Sequence, residues 1–324
     1  MRLERIDAFD INFVDSAARK EFKLDTSTGM GEARIYIGND EERFDEFFEF
    51  DNVEYFITEK KDLVKYMEDA YQEYMFPSQN YRSNITEMYN TLKQETENID
   101  LELIKYDFRK KFDDQRRYYL VLEDANDSRK NYNYIRNIAL PRVTKYCFIK
   151  FKDLDTNKLY IYMRPILFND LRVKEEVEEV LIESLKETND TKKKNYRVKQ
   201  AAYRSSLLDA MPFCPFTYVA DDRLLVACHI KPYSECDEEE KYDSKNGIIM
   251  TPTYHTLFDL GFISFENDGT LLISPFISNI TKKRLNLKDG MPIRLQTGSD
   301  KYLEYHRENI FCKMPTIELN DIDE

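Results

Sequence analysis

The chain has 324 residues, 42% of them hydrophobic, with 21 Phe and 23 Tyr, enough to bury a core in one large or two medium domains. Its 8 Gly and 10 Pro exclude fibrous and low-complexity classes. A formal charge of −13 argues against a protein that coats nucleic acid nonspecifically, while basic clusters at 109–111, 116–117, 192–194 and 282–284 leave a DNA enzyme open.

In chain order, the first sixty residues mix short aromatic strand-like pieces (Ala33–Ile37) with acidic turns. From Lys60 to Gln94 apolar residues recur at helical spacing, and Pro77-Ser78 divides the segment into two helices. Residues 99 to 124 read as a further helix followed by a strand at Tyr118–Leu122. Cys147–Phe151 and Leu159–Met163 flank a polar Asp155-Thr-Asn157 and read as a hairpin or two neighbouring strands. A charged helix is predicted over Arg172–Lys186, and the apolar-free stretch that follows reads as a linker. The expected organisation is α+β: a mixed N-terminal domain over 1–186, a linker at 187–195, and a second domain over 196–324. In the latter, Tyr196–Ala210 is helical, Leu224–Ala227 and Gly247–Met250 are strands, and His255–Asp259 is a short helix. Phe262–Phe265 and Thr270–Ile273 flank the tight-turn signal Asn267-Asp-Gly269.

The five cysteines (Cys147, Cys214, Cys228, Cys236, Cys312) are odd in number and form no C-x-x-C pair, which argues against a disulfide framework and a four-cysteine zinc site. No apolar run reaches the roughly 20 residues of a membrane span, and the first residues carry no apolar signal core, so a cytoplasmic setting is expected. The three histidines, His229, His255 and His306, all fall in the last third, which directs acid–base chemistry near neutral pH to the second domain. Cys228-His229 ends a predicted strand, Asn246-Gly247 opens the next, and His255 and Asp259 are four apart, so on a helix they share one face and can reach one ion.

The run "ACHIKPYSE…KYDSKNGIIMTPTYHTLFDLGFISFENDGTLLISP" resembles the HNH, or ββα-metal, domain found in many restriction endonucleases. The preceding "YRVKQAAYRSSLLDAMPFCPFT" is similar to that family's Arg/Gln-bearing helix and Cys-containing turn, and "YLEYHRENIF" to a closing motif; together they cover roughly 195 to 312. The first 185 residues show a weaker likeness, as in "LPRVTKYCFIKF". The resemblance implies His229 as general base, Asn246 as the residue that holds the loop and orients that base, His255 as a metal ligand and Asp259 as a second one. The implied ion is Mg²⁺ or a substitute such as Mn²⁺. Where many relatives place Asp or Glu before the first histidine, this chain has Cys228, a soft donor poorly matched to Mg²⁺. Either His255 and Asp259 hold the ion without it, which is the favoured expectation, or the ion is softer.

Further candidates are Lys231, Tyr233, Lys282, Lys283, Arg284 and Arg307 for DNA contact, with His306, Arg204 and Gln200 in support. The acidic loop Asp237–Glu240 would repel phosphates and is expected to face away from DNA. The resemblance implies a type II restriction endonuclease on double-stranded DNA, the N-terminal half reading a site, with a homodimer to cut both strands and a cognate methyltransferase as partner. The alternatives are a modification-dependent or anti-phage nuclease and, in another class, a non-catalytic DNA-binding protein with a degenerate HNH fold.

Overall fold

A computed structural model describes residues 2–11, 35–122 apart from 82, 113 and 115, 128–167, and 190–315, without the side chains of 10, 11, 112, 128–130 and 190–197. Two compact units result, one containing Met1–Phe168 and the other Asn169–Met314. Among the described residues no helix is long and apolar enough to cross a membrane.

In the first unit the strands are β1 (Leu3–Ile11), β2 (Ile35–Gly38), β3 (Val53–Glu59), β4 (Leu103–Tyr106), β5 (Phe108–Phe112), β6 (Tyr118–Leu122), β7 (Thr144–Asp153) and β8 (Leu159–Leu167). They form a five-stranded sheet in the order β1-β7-β8-β3-β4 and a three-stranded sheet in the order β2-β6-β5. Within the larger sheet β3 and β8 are parallel and the other neighbours antiparallel. The helices are α1 (Glu41–Phe48), α2 (Lys60–Asp69), α3 (Tyr71–Met75), α4 (Ile85–Glu97) and α5 (Ser128–Ile138). Buried rings hold this unit together: Phe48 meets Phe56 and Phe148 at 5.6 and 5.2 Å. The β7–β8 hairpin turns on Asp153, whose carboxylate accepts from the Asp155 N–H and the Thr156 hydroxyl, with Asn157 at φ 61.

The helix expected within 99–124 does not form; β4 and β5 occupy that stretch. Ile104, Tyr106 and Phe108 are all buried and lie two apart, the strand period rather than the helical one. The helix expected over 172–186 lies outside the described residues. Of the stretch read as a linker, 187–189 also lies outside them, and from Asp190 the chain is already helical.

Among the described residues the second unit begins with that helix, α6 (Asp190–Ala210), followed by β9 (Val226–His229), β10 (Gly247–Met250) and α7 (Pro252–Asp259). β9 and β10 are antiparallel, with His229 opposite Gly247 and Cys228 opposite Ile248. Pro252 starts α7, a position where its missing N–H has no intrahelical partner to lose. The helix buries Tyr254, His255 and Phe258, one face of a 3.6-residue period. β11 (Ile263–Phe265) and β12 (Leu271–Ile273) make a hairpin, its turn closed by Gly269 at φ +85, where a Cβ would stand 2.2 Å from the Ile293 carbonyl oxygen. α8 (Asn279–Arg284) and α9 (Asp300–Asn309) complete the unit. Its core joins Tyr203 and Leu207 of α6, Ile248 to Met250 of β10, Phe258 of α7 and Leu303 of α9.

Candidate active site and metal centre

His229 is the last residue of β9 and is 6% exposed. Its ring stacks on Tyr203, with centroids 4.6 Å apart and planes 9° from parallel, while Tyr233 meets it edge-on at 5.6 Å. Nε2 lies 3.0 Å from the carbonyl oxygen of Lys241. A carbonyl can only accept, so this contact keeps the neutral ring's proton on Nε2 and its basic lone pair on Nδ1.

The approach of Tyr203 depends on Gly247. A Cβ there would stand 2.4 Å from the Tyr203 hydroxyl and 2.7 Å from each Leu207 methyl. With no side chain in the way, the Tyr203 hydroxyl donates to the Asn246 carbonyl at 2.9 Å and its ring lies against the imidazole.

Asn246 is fully buried and fastens the β9–β10 loop. Its Oδ1 accepts the Lys231 N–H at 2.8 Å, and Nδ2 reaches the carbonyls of Lys231 and Glu240 at 3.2 and 3.3 Å and the Cys236 sulfur at 3.1 Å. Burial pushes the Cys236 thiol up to about 11, so it stays uncharged beside that amide. Asn246 thereby holds the loop that carries the Lys241 carbonyl onto His229.

A second group of side chains gathers one residue along the strand. Donor atoms of Cys228, His255 and Asp259 all lie within 4.8 Å of one another. The Cys228 Sγ is 3.3 Å from Asp259 Oδ1, and His255 Nε2 is 3.0 Å from Asp259 Oδ2. That second contact lacks hydrogen-bond geometry, and Nε2 of His255, a residue only 5% exposed, is left buried without a hydrogen bond. Buried polar atoms are nearly always satisfied. An unsatisfied imidazole nitrogen beside a carboxylate and a thiol is a donor set that a divalent ion would complete, so the residues fit a metal. The sequence reading kept Cys228 as a third metal candidate while favouring His255 and Asp259 alone; the structure brings all three donor atoms within 4.8 Å of one another.

Two carboxylates of the acidic loop are paired with lysines. Glu240 accepts from Lys231 at 2.6 Å and Lys301 at 3.2 Å, and Glu238 pairs with Lys241 at 2.8 Å. The hydrogen bond to Lys231 holds the Glu240 carboxyl below the usual range, and the same bond raises the Lys231 ammonium. Lys231 is thus committed to Glu240 and lies over the Tyr305 ring. Tyr233 is buried against His229.

Three other candidates brace the scaffold. His306 stacks on Phe258 at 3.8 Å, donates from Nε2 to the Phe258 carbonyl at 3.0 Å and meets the Ser264 hydroxyl through Nδ1 at 2.9 Å. Burial pushes its pKa down to about 3, so it is neutral at ordinary pH. Arg307 donates to the Phe265 carbonyl and the Asn267 side chain, pinning the β11–β12 hairpin. Arg204 donates to the carbonyls of Leu225 and Asp222 just ahead of β9. Gln200 is half-buried on α6. Lys283 and Arg284 are exposed in the last turn of α8, and Lys282 lies 3.7 Å from Asp289. Sequence reasoning missed Tyr203; its signal was a Tyr four residues before Leu207 on the apolar face of the predicted helix.

No curated protein matches the chain. Residues 214–266, the span that holds Cys228, His229, Asn246, His255 and Asp259, match the family model described as HNH endonuclease, which supports an HNH nuclease module in this protein.

Proposed function

We propose that the protein is a metal-dependent endonuclease of the type II restriction kind, hydrolysing phosphodiester bonds of duplex DNA at a ββα-metal site in its second unit. The observation that carries this reading is the pairing of an imidazole held in one tautomer with a neighbouring cluster of Cys228, His255 and Asp259 in which the buried His255 Nε2 has no hydrogen bond. In this reading His229 Nδ1 takes the proton of the attacking water, a role suited to an imidazole at neutral pH. Asn246 and the Lys241 carbonyl keep the ring in register, and Tyr203 limits its rotation. A divalent ion held by His255 and Asp259 would supply Lewis-acid stabilisation at the scissile phosphate and the leaving oxygen. The exposed Lys283 and Arg284 are suited to phosphate contacts, whereas Lys231 and Arg307 serve the fold.

Cutting both strands from one site per chain calls for a two-fold homodimer, and protection of host DNA for a cognate methyltransferase. The first unit would supply site recognition. A degenerate, non-catalytic module had Cys228 as its sole support, and the proximity of that sulfur to Asp259 favours reading it as part of a donor set instead.

Digestion of unmodified phage and plasmid DNA with added divalent ions, with and without chelator, followed by sequencing of the ends, tests the proposal. Metal-dependent discrete fragments with a common end sequence are expected. A smear would remove the restriction reading and keep the nuclease; intact DNA with every ion would remove both.

A further inference from the structure

We infer that the metal centre is a mixed sulfur–nitrogen–oxygen site, with the Cys228 thiolate as a third ligand beside His255 and Asp259, and that it selects a thiophilic divalent ion such as Zn²⁺ or Co²⁺ over Mg²⁺. The inference rests on reading the cluster as a metal site and adds to that reading the ligand set and the class of ion.

Position is the first argument. Cys228 is fully buried, and its sulfur is 3.3 Å from the Asp259 carboxylate, which in turn stands 3.0 Å from His255 Nε2. A sulfur that joins the other donors within 4.8 Å stands within reach of an ion bound by them. The backbone fixes this arrangement from two directions. His255 and Asp259 come from one turn of α7, and Cys228 comes from β9, held opposite Ile248 by the strand pair.

Ligand chemistry is the second argument. Mg²⁺ favours six oxygen donors in octahedral array and keeps much of its water, and this cluster offers it one carboxylate. Thiolate and imidazole suit Zn²⁺ and Co²⁺, and three protein donors on a four-coordinate ion leave one position open, the pattern of catalytic rather than structural zinc sites. Binding requires the thiol to give up to solvent the proton it shares with Asp259; the sulfur then donates to the ion, with no redox change.

The test is optical and needs no DNA. The full-length protein, stripped of metal by chelator and dialysed, is titrated with Co²⁺ alone, beside Cys228→Ser and Cys228→Asp variants whose fold is checked by circular dichroism. A near-ultraviolet thiolate-to-cobalt charge-transfer band is expected in the parent, absent from both variants and persistent in a large excess of Mg²⁺. Visible cobalt bands without the charge-transfer band, or a parent band that Mg²⁺ abolishes, would overturn the sulfur-bound, thiophilic site while leaving a metal site in place. Absence of any protein-bound cobalt spectrum would overturn the metal site as well. Retention of the charge-transfer band in Cys228→Ser would assign it to another cysteine and overturn the inference.

Discussion

Two buried histidines meet helix α7, and their settings differ in one respect. The Phe258 ring and carbonyl receive His306, both of whose nitrogens have hydrogen-bond partners. His255 of the helix itself is also buried, yet its Nε2 has no hydrogen bond and sits beside a carboxylate that in turn meets a sulfur. Both are histidines in the same core. Saturation separates them: His306, with both nitrogens satisfied, fits a scaffold role, whereas the open nitrogen of His255 beside a carboxylate and a thiol fits the proposed metal centre.

The largest expected effect comes from removal of the proposed base beside this centre. His229→Ala is expected to lower DNA cleavage by about 10²–10⁴-fold while DNA affinity stays close to the parent's. The same substitution at His306 should act through stability, with cleavage per folded molecule retained. Matching cleavage rates for parent and His229→Ala at saturating metal would place the chemistry elsewhere.

Next in size is Gly247→Ala. The new methyl meets the Tyr203 hydroxyl and the Leu207 methyls, so the cost is that of overpacking, about 1–3 kcal/mol in urea unfolding. Because relief requires Tyr203 to move off His229, cleavage by the folded fraction should fall as well. A variant as stable as the parent would mean that α6 does not rest on Gly247.

The site was more legible in the sequence than the fold around it, for a physical reason. Cys228-His229, Asn246-Gly247 and His255 with Asp259 sit on short regular elements, where spacing alone fixes which face a side chain shares. Tyr203 and the Lys241 carbonyl reach His229 from distant segments, one by helix packing and one through a loop of successive 3₁₀ turns, and neither leaves a local pattern. The role of Cys228 was legible as a departure from a motif, but its meaning required the distance to Asp259. In the first unit, Leu103–Phe112 was misread because Arg109-Lys-Lys111 masked a two-residue apolar alternation that sheet pairing then enforced. Arg307 looked like a phosphate contact because a surface arginine in a nuclease invites that reading; its donors are taken by the hairpin.

A smaller effect is read at His306 by pH. The folded pKa of His306 is depressed to about 3 from an ordinary 6.5, so its contribution to stability is complete above pH 6.5 and is lost as pH falls toward 3, where the unfolded chain binds the extra proton. The slope from this one group is about 1 kcal/mol per pH unit. Denaturant unfolding between pH 6.5 and about 5, above the range where most carboxylates titrate, should show a shallower slope for His306→Gln than for the parent. Equal slopes would show that His306 titrates normally and is not locked into the core.

Whether His229 and the His255 metal centre act on one phosphodiester is decided most directly by a double-mutant cycle on single-turnover DNA cleavage, comparing His229→Ala, His255→Ala and the double variant. Groups that serve a single event are strongly non-additive, so the double variant is expected to be no slower than the worse single variant. Losses that multiply across the two sites would show that the imidazole and the metal centre work independently, and would contradict the shared active site.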